Sequence, residues 1–154
     1  MPTIDFDVKF QNCVKEIVQS ALDFVENKKN EINQIYFFCS FEDDITIFNL
    51  FFKINNKISR IHQLNSYNNS GKFDLSDTKI IALLKKGTNI LIEIRNLFKR
   101  DGRQVPSHFK ISYNCNKKNW KADFNYELNL NDSISVHELF DSWINEKTNN
   151  LSNK

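Results

Sequence analysis

The sequence contains few cysteines and few glycines, and each shortage excludes a class of site. The three cysteines are odd in number and widely separated among 154 residues, which excludes a disulfide framework and paired zinc-ligand spacing. Three scattered glycines cannot build the glycine-rich loop that holds a phosphate group. These residues are Cys13, Cys39, Cys115, Gly71, Gly87 and Gly102.

Long hydrophobic runs and a strong net charge are also missing. The densest apolar stretch, residues 45–52, is broken by Thr46 and Asn49, whereas a membrane-spanning helix needs about 20 apolar residues. No N-terminal segment joins a basic start to an apolar run, as a signal peptide does. A net charge of +2 is too small to imply a polyanionic partner. We expect one cytoplasmic domain over residues 1–148 that contacts no membrane, with a frayed tail over residues 149–154.

Phenylalanine is abundant, and its 14 copies supply enough apolar area for a dense core. Apolar residues recur at three- and four-residue steps, which predicts helices over residues 5–27 and 76–100. A shorter helix begins near Ser135, a suitable N-cap with Glu138 three residues later. Gly87 interrupts the second helix and predicts either a close helix crossing or a kink.

The remaining apolar segments predict strands over residues 32–41, 45–55, 57–64, 109–113 and 120–126. The acidic turn at residues 42–44 joins the first two strands as a hairpin. Both faces of the second strand are apolar, so we expect it to lie centrally and to be covered on both sides. In the last strand Trp120, Ala122, Phe124 and Tyr126 form a buried face. The order α-β-β-β-α-β-β-α predicts an α+β fold, an antiparallel meander sheet of about five strands with helices packed on one face.

The candidate chemical residues do not form a recognisable catalytic set. His62, His108 and His137 are scattered over a strand, a loop and a helix start, without metal-ligand spacing. Cys115 lies in a lysine-rich turn that could lower its thiol pKa, but it has no identifiable companion base, so an incidental exposed thiol is the simpler interpretation. We predict a protein without enzymatic activity, cofactor or metal.

A basic segment precedes an acidic one near the C-terminus. Between residues 99 and 121 there are seven Lys or Arg and one acid, with Tyr113 and Trp120 interleaved. This pattern would suit a small nucleic-acid-binding regulator that tracks a backbone and stacks bases. Tyr113 and Trp120 fall on the apolar side of their strands, however, so we expect their rings to face the core and nucleic acid to be an unlikely partner.

Residues 122–146 contain six acids and no Lys or Arg. Such a surface suits a basic partner, because opposite charges accelerate encounter and fix orientation. The alternative is the ordinary solvent face of an edge hairpin and a short amphipathic helix. The predicted contact carboxylates are Asp123, Glu127, Asp132, Glu138 and Asp141.

Residues 98–113, with Phe98, Gly102, Pro106 and Tyr113, and the later run Ala122-Asp-Phe-Asn-Tyr126 resemble the YezG-like immunity (antitoxin) family. The order of elements over residues 6–145 is similar to that family as well. The resemblance implies a bacterial protein that binds a cognate secreted toxin, often a nuclease, and neutralises it by occluding its functional surface. Homodimer formation is a further option, because the first or last strand would leave an open sheet edge.

Overall fold

A five-stranded antiparallel sheet forms the centre of the fold. The computed structural model describes residues 3–25, 31–41, 45–67, 72–126 and 136–152. The strands are β1 (Ile32–Ser40), β2 (Ile47–Ile54), β3 (Lys57–Arg60), β4 (His108–Asn114) and β5 (Asn119–Asn125). Their order across the sheet is β3-β2-β1-β4-β5, so β4 returns to pair with the first strand.

The described residues form three α-helices: α1 (Thr3–Phe24), α2 (Asp77–Arg100) and α3 (Val136–Ser152). The element order and the α+β class agree with the sequence prediction. No helix in these described ranges is long and apolar enough to cross a membrane.

The third strand is shorter than predicted, because the chain leaves the sheet after Arg60 and forms a 3₁₀ helix, Ile61–Ser66. Asn55 and Asn56 adopt positive φ angles of 48° and 64°, which suits the two-residue turn between β2 and β3. Ile61 and Leu64 are both buried. In a strand they would point to opposite faces, whereas residues three apart in a 3₁₀ helix share one side.

Helices α1 and α2 cover one face of the sheet and form the larger core. Alternate residues of β1, including Ile35, Phe37 and Cys39, point into this core. Phe109 and Ile111 of β4 extend it beneath α1 and α2. All five of these side chains are fully buried.

The prediction that the helices share one face is wrong for α3, which packs on the opposite face. Tyr36, Phe38 and Phe51 contact the apolar side of α3 there and form a second core. The Trp143 ring lies 5.0 Å from the Phe51 ring and 5.6 Å from the Tyr36 ring, in edge-on arrangements. The cause lies in β1 and β2, whose two faces are both apolar and both need cover. The expectation that β2 is covered on both sides is confirmed.

Helix α2 is bounded as the sequence predicts. Ser76 caps its start by accepting a hydrogen bond from the Lys79 N–H. At its end, Gly102 adopts a φ of 70°, and the Arg103 N–H donates to the Phe98 carbonyl at 2.9 Å. These two features form a Schellman motif, in which glycine accepts the left-handed conformation.

Gly87 is explained by a strand instead of a helix crossing or a kink. Helix α2 is continuous from Asp77 to Arg100. The ring of Phe48, from β2, lies directly against Gly87, so close that a Cβ atom there would overlap it. The glycine therefore lets α2 approach the sheet.

Helix α3 continues through Ser152, so residues 149–152, predicted as part of a frayed tail, are helical. Leu151, in the last helical turn, is half-buried and lines a groove together with Ile58 of β3. The predicted acidic turn at residues 42–44 and the predicted N-cap Ser135 lie outside the described residues.

Candidate functional site

The outward side of α3 is acidic. Its exposed charged residues are Glu138 and Glu146, both carboxylates. Glu138 lies in the first turn, where a negative charge interacts favourably with the helix dipole. Lys147 is half-buried and turned toward the sheet, with its ammonium 5.5 Å from the centre of the Tyr36 ring. The exposed charged side chains of this helix are therefore all acidic.

Asp141 lies on the side of α3 that faces strand β3. Its Oδ1 accepts a hydrogen bond from Arg60 Nη2 at 2.8 Å, and the two side chains are 51% and 37% exposed. Exposed pairs of this kind contribute about 0.2–1 kcal/mol of stability. Arg60 therefore balances the charge of Asp141 locally and reduces what Asp141 contributes to the surface potential.

Asp123 lies on β5, an edge strand, and its side chain points to the same side of the sheet as α3. It stands directly opposite Lys110 of β4, whose ammonium is 5.3 Å from the centre of the Trp143 ring. Lys121, two residues earlier on β5, shares this face. The surroundings of Asp123 are consequently of mixed charge.

The structure does not bring Asp123 and Asp141 together. The arginine that binds Asp141 belongs to β3, and Asp123 belongs to β5, at the two opposite edges of the sheet. Four strand spacings separate these edges, a distance of about 19 Å. Glu138 lies on the intervening helix, and Glu127 and Asp132 lie outside the described residues.

The basic segment does not form a continuous track. Lys99 and Arg100 lie at the end of α2, whereas Lys117 and Lys118 lie in the turn at the far end of β4. A seven-residue strand such as β4 separates them by about 20 Å. The rings that could stack bases are engaged elsewhere.

Those rings belong to Tyr113 and Trp120, and both pack against the larger core, as predicted. Tyr113 is only 8% exposed, and burial, followed by the nearby Cys115 thiol, raises its pKa. Neither aromatic face forms an exposed stacking platform.

The cysteines are all buried. For Cys115 this corrects the expectation of an exposed thiol: its N–H donates to the Asn33 carbonyl at 3.0 Å, which holds the end of β4 against β1. Burial, with smaller contributions from Glu93 and Glu16, raises the pKa of the Cys13 thiol to about 12. Burial also raises the pKa of Cys39 well above its ordinary value. Raised pKa values keep these two thiols protonated and weakly nucleophilic.

The histidines remain apart in the structure. His108 is buried beside the Phe38 ring, while His62 and His137 are exposed. Among the residues that the structure describes, no three His, Cys, Asp or Glu side chains are arranged to hold a metal ion.

An open groove lies between the last turns of α3 and the second face of the sheet. Its volume is about 410 Å³, and its charged residues are Lys53 and Lys147. Tyr36 lies at its floor, and burial raises the pKa of that phenol to about 12. Helix α3 is therefore basic where it meets this groove and acidic on its outward side.

In the described part of the chain β5 has a strand neighbour on one side only, and two aromatic residues predicted to be buried are exposed on this strand and directly after it. Phe124 is 40% exposed and Tyr126 is 45% exposed, although Phe124 also contacts Phe10 and Phe109. An edge strand has a neighbour on one side only, so its outer side chains receive half the cover of a central strand. The alternation of apolar and polar residues correctly predicted which face of β5 points toward the larger core, but it could not show that β5 is an edge strand.

The sequence matches no family model, and no curated protein matches it significantly.

Proposed function

We propose that this protein is an immunity protein (antitoxin) that acts in the cytoplasm by binding a cognate bacterial toxin, a nuclease, and occluding its functional surface. It makes or breaks no covalent bond in doing so. The resemblance to the YezG-like family suggests this class. The observation that carries the proposal is the acidic outward face of α3.

The electrostatic reason follows from what a nuclease must bind. A nuclease holds phosphate groups in a basic cleft, and a rigid helix that presents carboxylates can occupy such a cleft in their place. Unscreened opposite charges raise association rates, and this effect falls steeply with ionic strength. The face of α3 is suited to this role because the second core fixes the helix on the sheet through Phe140 and Trp143.

The five predicted contact carboxylates have unequal roles in this proposal. Glu138 is exposed on α3, and Glu146, which was not among the predicted contact carboxylates, is exposed on the same helix. Asp141 binds the toxin only by sharing or exchanging its bond to Arg60. Asp123 lies at the margin of the surface, and Glu127 and Asp132 complete the predicted set.

The test requires the toxin domain, which we expect to be encoded by the reading frame immediately upstream. Its C-terminal domain is expressed inducibly in a sensitive host, with and without this chain, and survival is counted. We expect the chain to restore growth. A domain that is toxic but unaffected by the chain refutes the proposed function.

The surface is tested with purified proteins, by measuring association rates at low and high ionic strength. Glu138→Lys combined with Glu146→Lys should slow association by about tenfold at low salt and reduce its salt dependence. The matched control is Glu16→Lys with Asp23→Lys on α1, which makes the same charge change on the opposite face of the sheet. Full protection with equal rates in both double variants shows that the toxin binds elsewhere.

A further inference from the structure

The two edges of the sheet differ in length and in charge. Strand β3 has four residues, and a basic side chain stands at each of its ends, Lys57 and Arg60. Short, positively charged edges resist pairing with another strand. Strand β5 has seven residues and carries one charge of each sign, Lys121 and Asp123. In the described part of the chain its one strand neighbour is β4.

The hydrogen-bonding direction of β5 follows from the ladder between β1 and β4. The Phe41 N–H donates to the Ser107 carbonyl, and the Cys115 N–H donates to the Asn33 carbonyl. In an antiparallel ladder these bonds require the odd-numbered residues of β4 to bond to β1 and the even-numbered residues to bond to β5. The backbone groups of Trp120, Ala122 and Phe124 therefore face away from β4, toward the side on which the described residues place no strand.

We propose that β5 pairs with β5 of a second copy of this chain, antiparallel about a two-fold axis at Ala122. In this register Trp120 faces Phe124 of the second copy and Lys121 faces its Asp123. The outward backbone groups of Trp120, Ala122 and Phe124 meet in the hydrogen-bonded positions, because each pair joins two even-numbered residues. The two sheets become one, and in both copies β5 is no longer an edge strand.

Charge selects this register over its neighbours. The two-fold axis gives two Lys121–Asp123 pairs, and opposite charges directly across a ladder stabilise a sheet. Moving the axis by one residue places Lys121 opposite Lys121, or Asp123 opposite Asp123, and either arrangement repels. The small side chain of Ala122 at the axis leaves room for its symmetry mate.

The aromatic side chains supply the apolar part of the contact. Phe124 is 40% exposed and Trp120 is half-buried, and both lie on the side of the sheet that α1 and α2 cover. Pairing Trp120 with Phe124 of the second copy covers both rings, and aromatic pairs across strands are favourable. The apolar contacts of α3 are with β1, β2 and β3 and not with β5, so dimerisation leaves Glu138 and Glu146 accessible.

The test is a charge-swap series on the full chain, followed by sedimentation equilibrium. Lys121→Asp and Asp123→Lys should each weaken dimerisation by about tenfold or more, because each places two like-charged pairs across the interface. The double variant restores opposite charges in reversed order and should recover near wild-type affinity. Lys117→Asp, in the exposed turn, makes the same charge change as Lys121→Asp outside the ladder and should have no effect. Circular dichroism checks that every variant is folded.

A disulfide tests the geometry independently. Lys121→Cys with Asp123→Cys places two thiols opposite each other in a non-hydrogen-bonded pair, where Cα atoms about 4.5 Å apart suit a disulfide. All three native cysteines are buried, so mild oxidation should give a covalent dimer only in this variant. A wild-type chain that stays monomeric at its highest soluble concentration overturns the proposal. So does a dimer that ignores the single reversals, fails to recover in the double variant, or forms no disulfide.

Discussion

Replacing Gly87 with alanine should destabilise this protein, although the same change stabilises most helices. An added Cβ would lie 2.3 Å from two ring carbons of Phe48, whereas ordinary contact begins at 3.4 Å. The ring or the helix must therefore retreat by about 1.1 Å, the difference between those distances. Phe48 is 6% exposed and stacks on the fully buried Phe37, so there is little space to move into.

The expected magnitude is the difference between two opposing effects. Alanine in place of glycine in a helix interior favours folding by about 1 kcal/mol. Overpacking a dense core costs about 1–3 kcal/mol, since side chains and backbone must shift. With a central overpacking cost of about 2 kcal/mol, the net loss in the free energy of unfolding is about 1 kcal/mol. For a chain of this size that lowers Tm by about 2–4 °C.

Urea denaturation of Gly87→Ala and wild type measures this loss directly. Asn89→Ala is the matched control, because Asn89 is exposed two residues further along α2. There the helix propensity acts alone and should raise stability by about 0.5 kcal/mol.

The effect of Gly87→Ala on stability should change sign when residue 48 is smaller. In a Phe48→Leu background the smaller side chain leaves room for the new methyl group, so Gly87→Ala should become stabilising. A rise of about 1 kcal/mol in the free energy of unfolding for Gly87→Ala in the wild-type background would refute the predicted clash with Phe48. That rise is what helix propensity alone gives when the new methyl group meets no obstacle.

Three further predictions concern α3, the end of α2 and the buried thiols. Trp143→Ala should weaken the packing of α3 on the sheet by about 3–5 kcal/mol. Backbone amides of residues 136–152 should therefore lose protection from hydrogen exchange, while those of α1 should keep it. Gly102→Ala should cost about 1 kcal/mol for its positive φ alone, since nothing lies within 4 Å of the new Cβ; Gly102→Asn should cost less in the same denaturation assay. The raised pKa of Cys13 means that the unfolded thiol loses its proton above about pH 9, while the folded one keeps it up to about pH 12. Stability should therefore fall with pH across that window, by up to about 1.4 kcal/mol per pH unit for this thiol, and Cys13→Ala should flatten the slope.

Local patterns in the sequence were sufficient to predict most elements. The helix over residues 76–100 was predicted almost to the residue, because Ser76 and Gly102 mark its ends by their own chemistry. Alternation predicted β4 and β5 within a residue of their observed ends. The 3₁₀ helix after Arg60 was missed, since four strand-like residues and a short turn have no distinct apolar period.

The arrangement of the elements depended on information that periodicity does not contain. The apolar stripe of α3 showed that the helix needs a partner surface, but not which face of the sheet provides it. The same limit applies to the edges of the sheet. The alternation of apolar and polar residues predicts Phe124 as a core residue, and only the strand order shows that β5 lies at an edge. For the candidate surface, the sequence identified the excess of acids but not the pairing of Asp141 with Arg60, which is 81 residues away along the chain.

The position of β1 in the middle of the sheet has a consequence for synthesis on the ribosome. Its pairing with β4 joins Ser40 to His108, so one side of an apolar strand has no native neighbour until nearly seventy further residues have been made. During that interval the nascent chain exposes Phe37 and Phe38 beside unsatisfied backbone groups, the condition in which strands associate wrongly. We therefore expect slow translation or early release before β4 to favour aggregation, and chaperones that shield nascent chains to raise the yield.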